Sequence, residues 1–321
     1  MTRHDVPDIP DVPDQPAEAR VPKKRSSSGE KSPSSRRRGA SAEASASAAL
    51  RRSLDAFADP GYAEFMRSGL PKEVESPVIG VRIPIIKSVV KETETSGALE
   101  PTLRALLASG STPSTSLEER IAVGYMLGRL RAPMSEKIGL LSDYMPWIDS
   151  WAVCDELCAF VKPKAGEKRE LWDYVCVESE SEAAYSVRFA IVMALKYYLD
   201  PTWSDASLEL ARRIAERGFE ERHVRMGLAW LVAEAYAKTP DKGRRFLAAA
   251  DCPFDAFTFK MAVMKILDSF RVDAELKTEA VELLKNRGIS SGPAEKHAEY
   301  MARRQASRRE KMKKRGSERL D

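Results

Sequence analysis

Apolar residues along most of this chain recur every three or four positions, the period of a helix with one buried face. An Ala-rich run over residues 44–58 leads to Pro60-Gly61, and Tyr62, Phe65, Met66 and Leu70 then mark a second helix. Gly80-Val81-Arg82-Ile83-Pro84 reads as a turn with proline in a helix's first turn, followed by Ile85, Ile86, Val89 and Val90. Further helices are expected near 98–108, 118–130 and 136–144, with Pro133 as a break. Beyond the Trp151 segment they are expected over 169–176, 183–199, 203–217, 221–238, 242–249, 258–269 and 275–285. No run alternates as a half-buried strand does, so the chain reads as all-α. The helices are about 10–17 residues long and recur in pairs of roughly 40 residues, the period of HEAT-like repeats. A helical-repeat solenoid is therefore expected, with a concave face suited to an elongated partner. A globular bundle is the alternative and has no such face.

The ends follow different rules. Residues 5–16 carry proline at every third position (Pro7, Pro10, Pro13, Pro16), which is polyproline II material without a buried face. Basic clusters Lys23-Lys24-Arg25 and Arg36-Arg37-Arg38 follow among Ser and Ala. Residues 1–52 hold 11 Lys/Arg against 7 Asp/Glu, and residues 301–321 hold 9 against 3. The intervening 53–300 hold 32 against 38, so the basic character lies in the two ends while the core is net acidic. The expected organisation is a disordered tail over 1–52, a repeat domain over 53–290 and a basic extension over 291–321. Such tails are a usual footprint of nucleic-acid affinity, and they also serve as solubilising extensions.

The N-terminus has no apolar h-region, and no segment is long enough to span a bilayer, so a soluble, intracellular protein is expected. Cys154, Cys158, Cys176 and Cys252 show neither C-x-x-C spacing nor a disulfide-scaffold pattern. With three histidines in the chain, no metal site is expected and the thiols read as reduced core residues. No glycine-rich phosphate loop, nucleophile elbow or H-E-x-x-H run supports another enzyme class.

Candidate chemistry lies where charge interrupts an apolar stripe. Ser150 is a good N-cap, and Trp151 and Asp155, four apart on the helix it starts, share a face with Cys158 and Ala159. A carboxylate there costs several kcal/mol unless something pairs with it. The simpler alternative is a first-turn acid that complements the helix dipole beside an anchoring indole. Arg188 likewise shares a face with Ala184, Tyr185, Ile191, Val192 and Leu195, and needs an acceptor or an anionic ligand. It ties two helices together through Asp155, or it binds a ligand. Trp230 lies on a face with His223, Met226, Gly227, Ala233 and Ala237, whose small members are expected to leave room beside the indole.

Taken in order, Gly80-Val81-Arg82-Ile83-Pro84, Ile148 to Asp155, Tyr185 to Phe189, Met226 to Trp230 and Met264 to Val272 make the chain resemble the DNA alkylation repair enzyme family, the AlkD-like glycosylases built from HEAT-like repeats. The resemblance spans about residues 60–285. It implies excision of cationic N3- or N7-alkylated purines from double-stranded DNA by a cytoplasmic, nucleoid-associated monomer without metal or cofactor. Carried over residue by residue, it implies Asp155 as the catalytic carboxylate and Trp151, Arg188 and Trp230 as DNA-contacting residues. Relatives of this fold also bind DNA without excision, which leaves a non-catalytic module for distorted or branched DNA as the alternative function. A protein-interaction scaffold is a third. Two departures stand out: His223 replaces a frequent aromatic, and Ile85-Ile86-Lys87 replaces a Leu-Arg pairing.

Overall fold

Helix follows helix through the computed structural model, which describes residues 46–317. The proline-spaced stretch 5–16 and the basic clusters near residues 23–38 lie outside the described residues. The helices in chain order are α1 (46–55), α2 (Pro60–Gly69), α3 (Ile83–Thr95), α4 (Leu99–Ser109) and α5 (Leu117–Arg129). Then come α6 (Met134–Tyr144), α7 (Trp151–Phe160), α8 (Lys168–Ser179), α9 (Ala184–Tyr197) and α10 (Ser204–Glu216). The last are α11 (Arg222–Lys238), α12 (Pro240–Ala248), α13 (Ala256–Asp268), α14 (Ala274–Asn286) and α15 (Gly292–Ser317). No strand occurs among the described residues.

The odd-numbered helices from α3 to α13 pack each against the next and form one layer. The even-numbered helices alternate behind them, with α4, α6, α8, α10 and α12 in sequence. This is an all-α helical-repeat fold in two layers. Inner helices begin at Ile83, Leu117, Trp151, Ala184, Arg222 and Ala256, so successive starts fall 34, 34, 33, 38 and 34 residues apart. The repeat is thus shorter than the expected 40 residues, because its connections are brief.

Local chemistry sets the helix starts. Ser116 caps α5 through a full capping box, its hydroxyl accepting from the Glu119 N–H (3.2 Å) while the Glu119 carboxylate accepts from the Ser116 N–H (2.8 Å). Asp255 caps α13 by accepting from the Thr258 N–H at 2.8 Å. Tyrosine hydroxyls then stitch layers and repeats. Fully buried Tyr144 of α6 donates to the Arg120 carbonyl (2.7 Å), and Tyr198 donates to the Lys168 carbonyl (2.8 Å).

The Gly-Val-Arg turn before α3 is built around a buried acid. The Glu118 carboxylate accepts from the backbone N–H groups of Ile79 (3.0 Å), Gly80 (2.7 Å) and Val81 (3.2 Å). Gly80 has φ of +89°, and a Cβ there would lie 2.0 Å from the Asp59 carbonyl oxygen, so glycine is required on both counts. Arg82 donates to Asp59 (2.9 Å) and lies 4.4 Å from the Tyr62 ring centroid, fastening α2 to the turn.

Two expected boundaries move. Helix α1 runs across the proposed 52/53 division, with Leu50 and Leu54 buried. The C-terminal extension, expected as a tail, is helical from Gly292 to Ser317, and buries Ala294 and Met301 where α15 packs on α13 and α14.

Candidate active site

Helix α7 starts where its sequence places a cap. Ser150 is extended (φ −148°, ψ 158°) and accepts from the Val153 N–H at 3.4 Å. Val153, Cys154, Leu157 and Cys158 are buried and hold the helix against its neighbours. Trp151 remains 37 % exposed, and Asp155 follows one turn later beside it. Both line a cleft of about 1010 Å³ together with Tyr185 and Arg188 of α9, His223, Met226 and Trp230 of α11, and Lys265 of α13. One wall comes from Gly69, Leu70, Pro71, Glu73 and Val74, the segment that leaves α2. All four residues singled out from sequence therefore meet at one site.

Arg188 sits within an unbroken buried run, Ser186 to Leu195, in the middle of α9. Its Nε donates to Asp155 Oδ1 (3.0 Å) and its Nη2 to Oδ2 (2.8 Å), a bidentate fork, while Nη1 donates to the His223 carbonyl oxygen. The guanidinium side chain is 7 % exposed, against 21 % for Asp155. Burial opposes the Arg188 charge, but the Asp155 carboxylate more than offsets it and holds the guanidinium above its ordinary value. Three successive inner helices are thus joined through one side chain. Of the two roles open to Arg188, the geometry shows the tie between helices, with each guanidinium nitrogen donating one bond to a protein acceptor.

His223 stacks on Tyr185, centroids 4.1 Å apart and planes 12° from parallel. Burial, with the Arg188 charge behind it, pushes the imidazole down to about 4, so it is neutral near pH 7. Its Nε2 is buried with no partner. Two amines approach the Trp230 ring, Lys196 Nζ at 5.9 Å and Lys265 Nζ at 5.7 Å from its centroid. Room beside the indole was the role expected of Gly227. Instead its missing Cβ lets α11 close on α9, since a Cβ would lie 3.3 Å from Ile191 Cγ2 and 3.6 Å from Arg188 Nη1.

Several site residues were not picked out from sequence. Asp149, on the cleft wall, pairs with buried Arg120 (3.2 Å), which also donates to the Trp147 carbonyl (2.7 Å). Tyr185 stood only as a member of the Arg188 face, and Lys265 only within a matched stretch. A lysine one turn from Met261 on an amphipathic helix looks like any snorkelling side chain. By formal charge the lining carries Glu73, Asp149, Asp155 and Glu221 against Arg188, Arg222 and Lys265, so it is net acidic.

A family model described as DNA alkylation repair enzyme matches residues 50–266. The chain belongs to the DNA alkylation repair enzyme family. Comparison with curated proteins and with solved structures returned no match. The family match spans every inner helix up to most of α13 and contains the whole cleft. DNA is the partner that membership in the DNA alkylation repair family brings, and repair of alkylated DNA is its function in general terms. No described helix is long and apolar enough to cross a membrane.

Proposed function

We propose that this member of the family is a DNA glycosylase that removes cationic N3- or N7-alkylated purines from double-stranded DNA, with Asp155 as its catalytic carboxylate. The observation that carries this is the setting of Asp155: paired with Arg188 through both oxygens, yet still one-fifth exposed beside a cleft lined by two indoles. A purine alkylated at N3 or N7 already bears a positive charge, so it departs without protonation by an enzyme acid. The paired carboxylates of ordinary glycoside hydrolysis are then unnecessary. What the reaction needs is stabilisation of the developing oxocarbenium sugar and a positioned water, and one fixed carboxylate serves both.

The rest of the cleft fits a cation better than a phosphate. Four carboxylates line it against three basic side chains, with Asp149 held by Arg120 and Asp155 by Arg188, which leaves Glu73 and Glu221 facing Arg222 and Lys265. The half-exposed face of Trp151 is electron-rich, and such a face contributes about 0.5–2 kcal/mol toward a positive ligand, whereas Trp230 already has two lysine amines within 6 Å of its ring centre. His223 is neutral near pH 7 and does not repel it. Arg188 is a positioning residue on this reading: its fork to both oxygens fixes the carboxylate plane.

The test is incubation of the protein with methylated duplex DNA, followed by chromatography of free bases. Release of methylated adenine or guanine is expected, and a uracil-containing duplex should release nothing, because no general acid stands ready for a neutral leaving base. Uracil release would overturn the mechanism. Tight binding of methylated DNA with no base released would identify a non-catalytic DNA-binding module instead.

A further inference from the structure

Helix α15 lies beyond the family match, which ends at residue 266. Its first turns are fastened to the domain. His297 Nε2 lies 2.6 Å from Asp268 Oδ1 at the end of α13, and Lys285 of α14 pairs with Glu295 at 3.2 Å. Ala294 and Met301 are buried in the contact. The helix packs on α13 as α13 packs on α11, so it continues the inner layer by one helix. Asp268 stands one turn beyond Lys265 of the cleft, which puts this anchorage at the cleft's edge.

After Met301 the helix outlasts its support. Ala302, Arg303, Arg304, Ala306 and Ser307 are exposed, yet the helix runs on to Ser317. At 1.5 Å per residue, residues 302–317 span about 24 Å. They hold 8 Lys/Arg against one acid, Glu310. Arg304, Arg308, Lys311 and Arg315 recur every three or four positions, the spacing of one helical face. Like charges so spaced repel one another, and an opposing anionic surface relieves them. The repeat domain raises a matching demand. Residues 53–300 hold 32 Lys/Arg against 38 Asp/Glu, so they bring no excess of positive charge to a polyanion.

We propose that α15 is a rigid rail for the phosphate backbone of duplex DNA beside the cleft, lengthening the stretch of duplex that the protein grips. One base pair rises 3.4 Å along the duplex, so a rail of about 24 Å adds about 7 base pairs to the footprint. The rail rests on DNA as the partner, not on base excision, and takes no part in the chemistry at Asp155. A flexible tail of the same charge would also meet phosphates, but it would impose no fixed length. The anchorage through Asp268, Glu295 and Met301 is what a rail needs and a tail does not.

The experiment titrates the full chain with undamaged duplexes of about 10 to 30 base pairs at several salt concentrations, read by fluorescence anisotropy. R304Q/R308Q/K311Q/R315Q removes the charged stripe while keeping good helix formers in place. Its log–log salt slope should fall by about 3–4, since each lost phosphate contact removes about 0.9. The duplex length at which affinity stops rising should shorten by about 7 base pairs. Ser307→Pro keeps every charge but breaks the helix downstream of its anchorage. It should show the same shortening with a smaller loss of slope. Wild-type slope and length in the quadruple variant would overturn the DNA role and leave the stripe to an acidic protein or to solubility. A Ser307→Pro chain indistinguishable from wild type would overturn the rail in favour of a flexible tail. Base release from methylated DNA reads excision separately, so its failure leaves these binding results standing.

Discussion

Replacing Asp155 with Asn separates the two jobs assigned to the carboxylate. Asn keeps the shape and one oxygen, so Arg188 retains one of its bonds of 2.8–3.0 Å, while the new amide N–H₂ confronts the other guanidinium N–H. An orphaned buried charge costs about 3–5 kcal/mol. The surviving bond, the His223 carbonyl and the 21 % exposure at position 155 lower that to about 2–3 kcal/mol here. For a domain of this size the corresponding fall in Tm is about 4–12 °C. Catalysis should suffer separately. On the proposed mechanism the lost charge acts mainly on the oxocarbenium, so single-turnover excision of alkylated purine should drop by about 10²–10³, or 2.7–4 kcal/mol. Affinity for damaged duplex should persist, since a transition-state interaction is what disappears. The assay combines a thermal melt, DNA titration and single-turnover base release well below the mutant's Tm. Unchanged excision alongside the expected loss of Tm would refute the catalytic role and leave Asp155 as a brace for Arg188.

Arg188→Met should slow excision while leaving affinity for undamaged duplex unchanged, and should add little further loss in an Asp155→Asn background. Weakened binding to all duplexes would mean that Arg188 holds phosphate after all. His223 is neutral in the folded protein down to about pH 4 but protonates near 6.5 once unfolded, so its contribution is fully present above pH 6.5 and is lost as pH falls toward 4. Allowing for its partial solvent contact, His223→Phe should flatten the pH dependence of stability across that window by about 1–2 kcal/mol, measured by denaturant titration at several pH values. Deleting residues 1–45 and 308–321, which spares buried Leu50 and Met301, should weaken DNA binding, with the log–log salt slope falling by about 0.9 for every phosphate no longer neutralised. An unchanged slope would assign those residues another role.

Helices were legible because a half-buried helix writes its period into the chain. Ser150 predicts the start of α7 at Trp151, and the 221–238 pattern matches α11 to within a residue. Asp155 and Arg188 were legible for a related reason: charge on an apolar stripe demands a partner, and each supplies the other's. Which of its two roles Arg188 takes was not legible, because sequence does not say which helix lies beside α9. Gly227 misled for the same reason, as the space a glycine opens depends on what approaches it. The C-terminal helix was hidden by its charge. Only Ala294 and Met301 are buried there, too narrow a stripe to stand out among so many Lys and Arg residues.

One consequence of the fork is mechanical. A stack of helix pairs yields most readily by small rotations of one pair against the next. Arg188 reaches from α9 to α7 through Asp155 and to α11 through the His223 carbonyl, so it spans two such hinges at once. A rotation of one pair against the next would therefore have to lengthen or shorten one of these three hydrogen bonds. On the proposed mechanism, the placement of the carboxylate would then depend on the twist between neighbouring helix pairs.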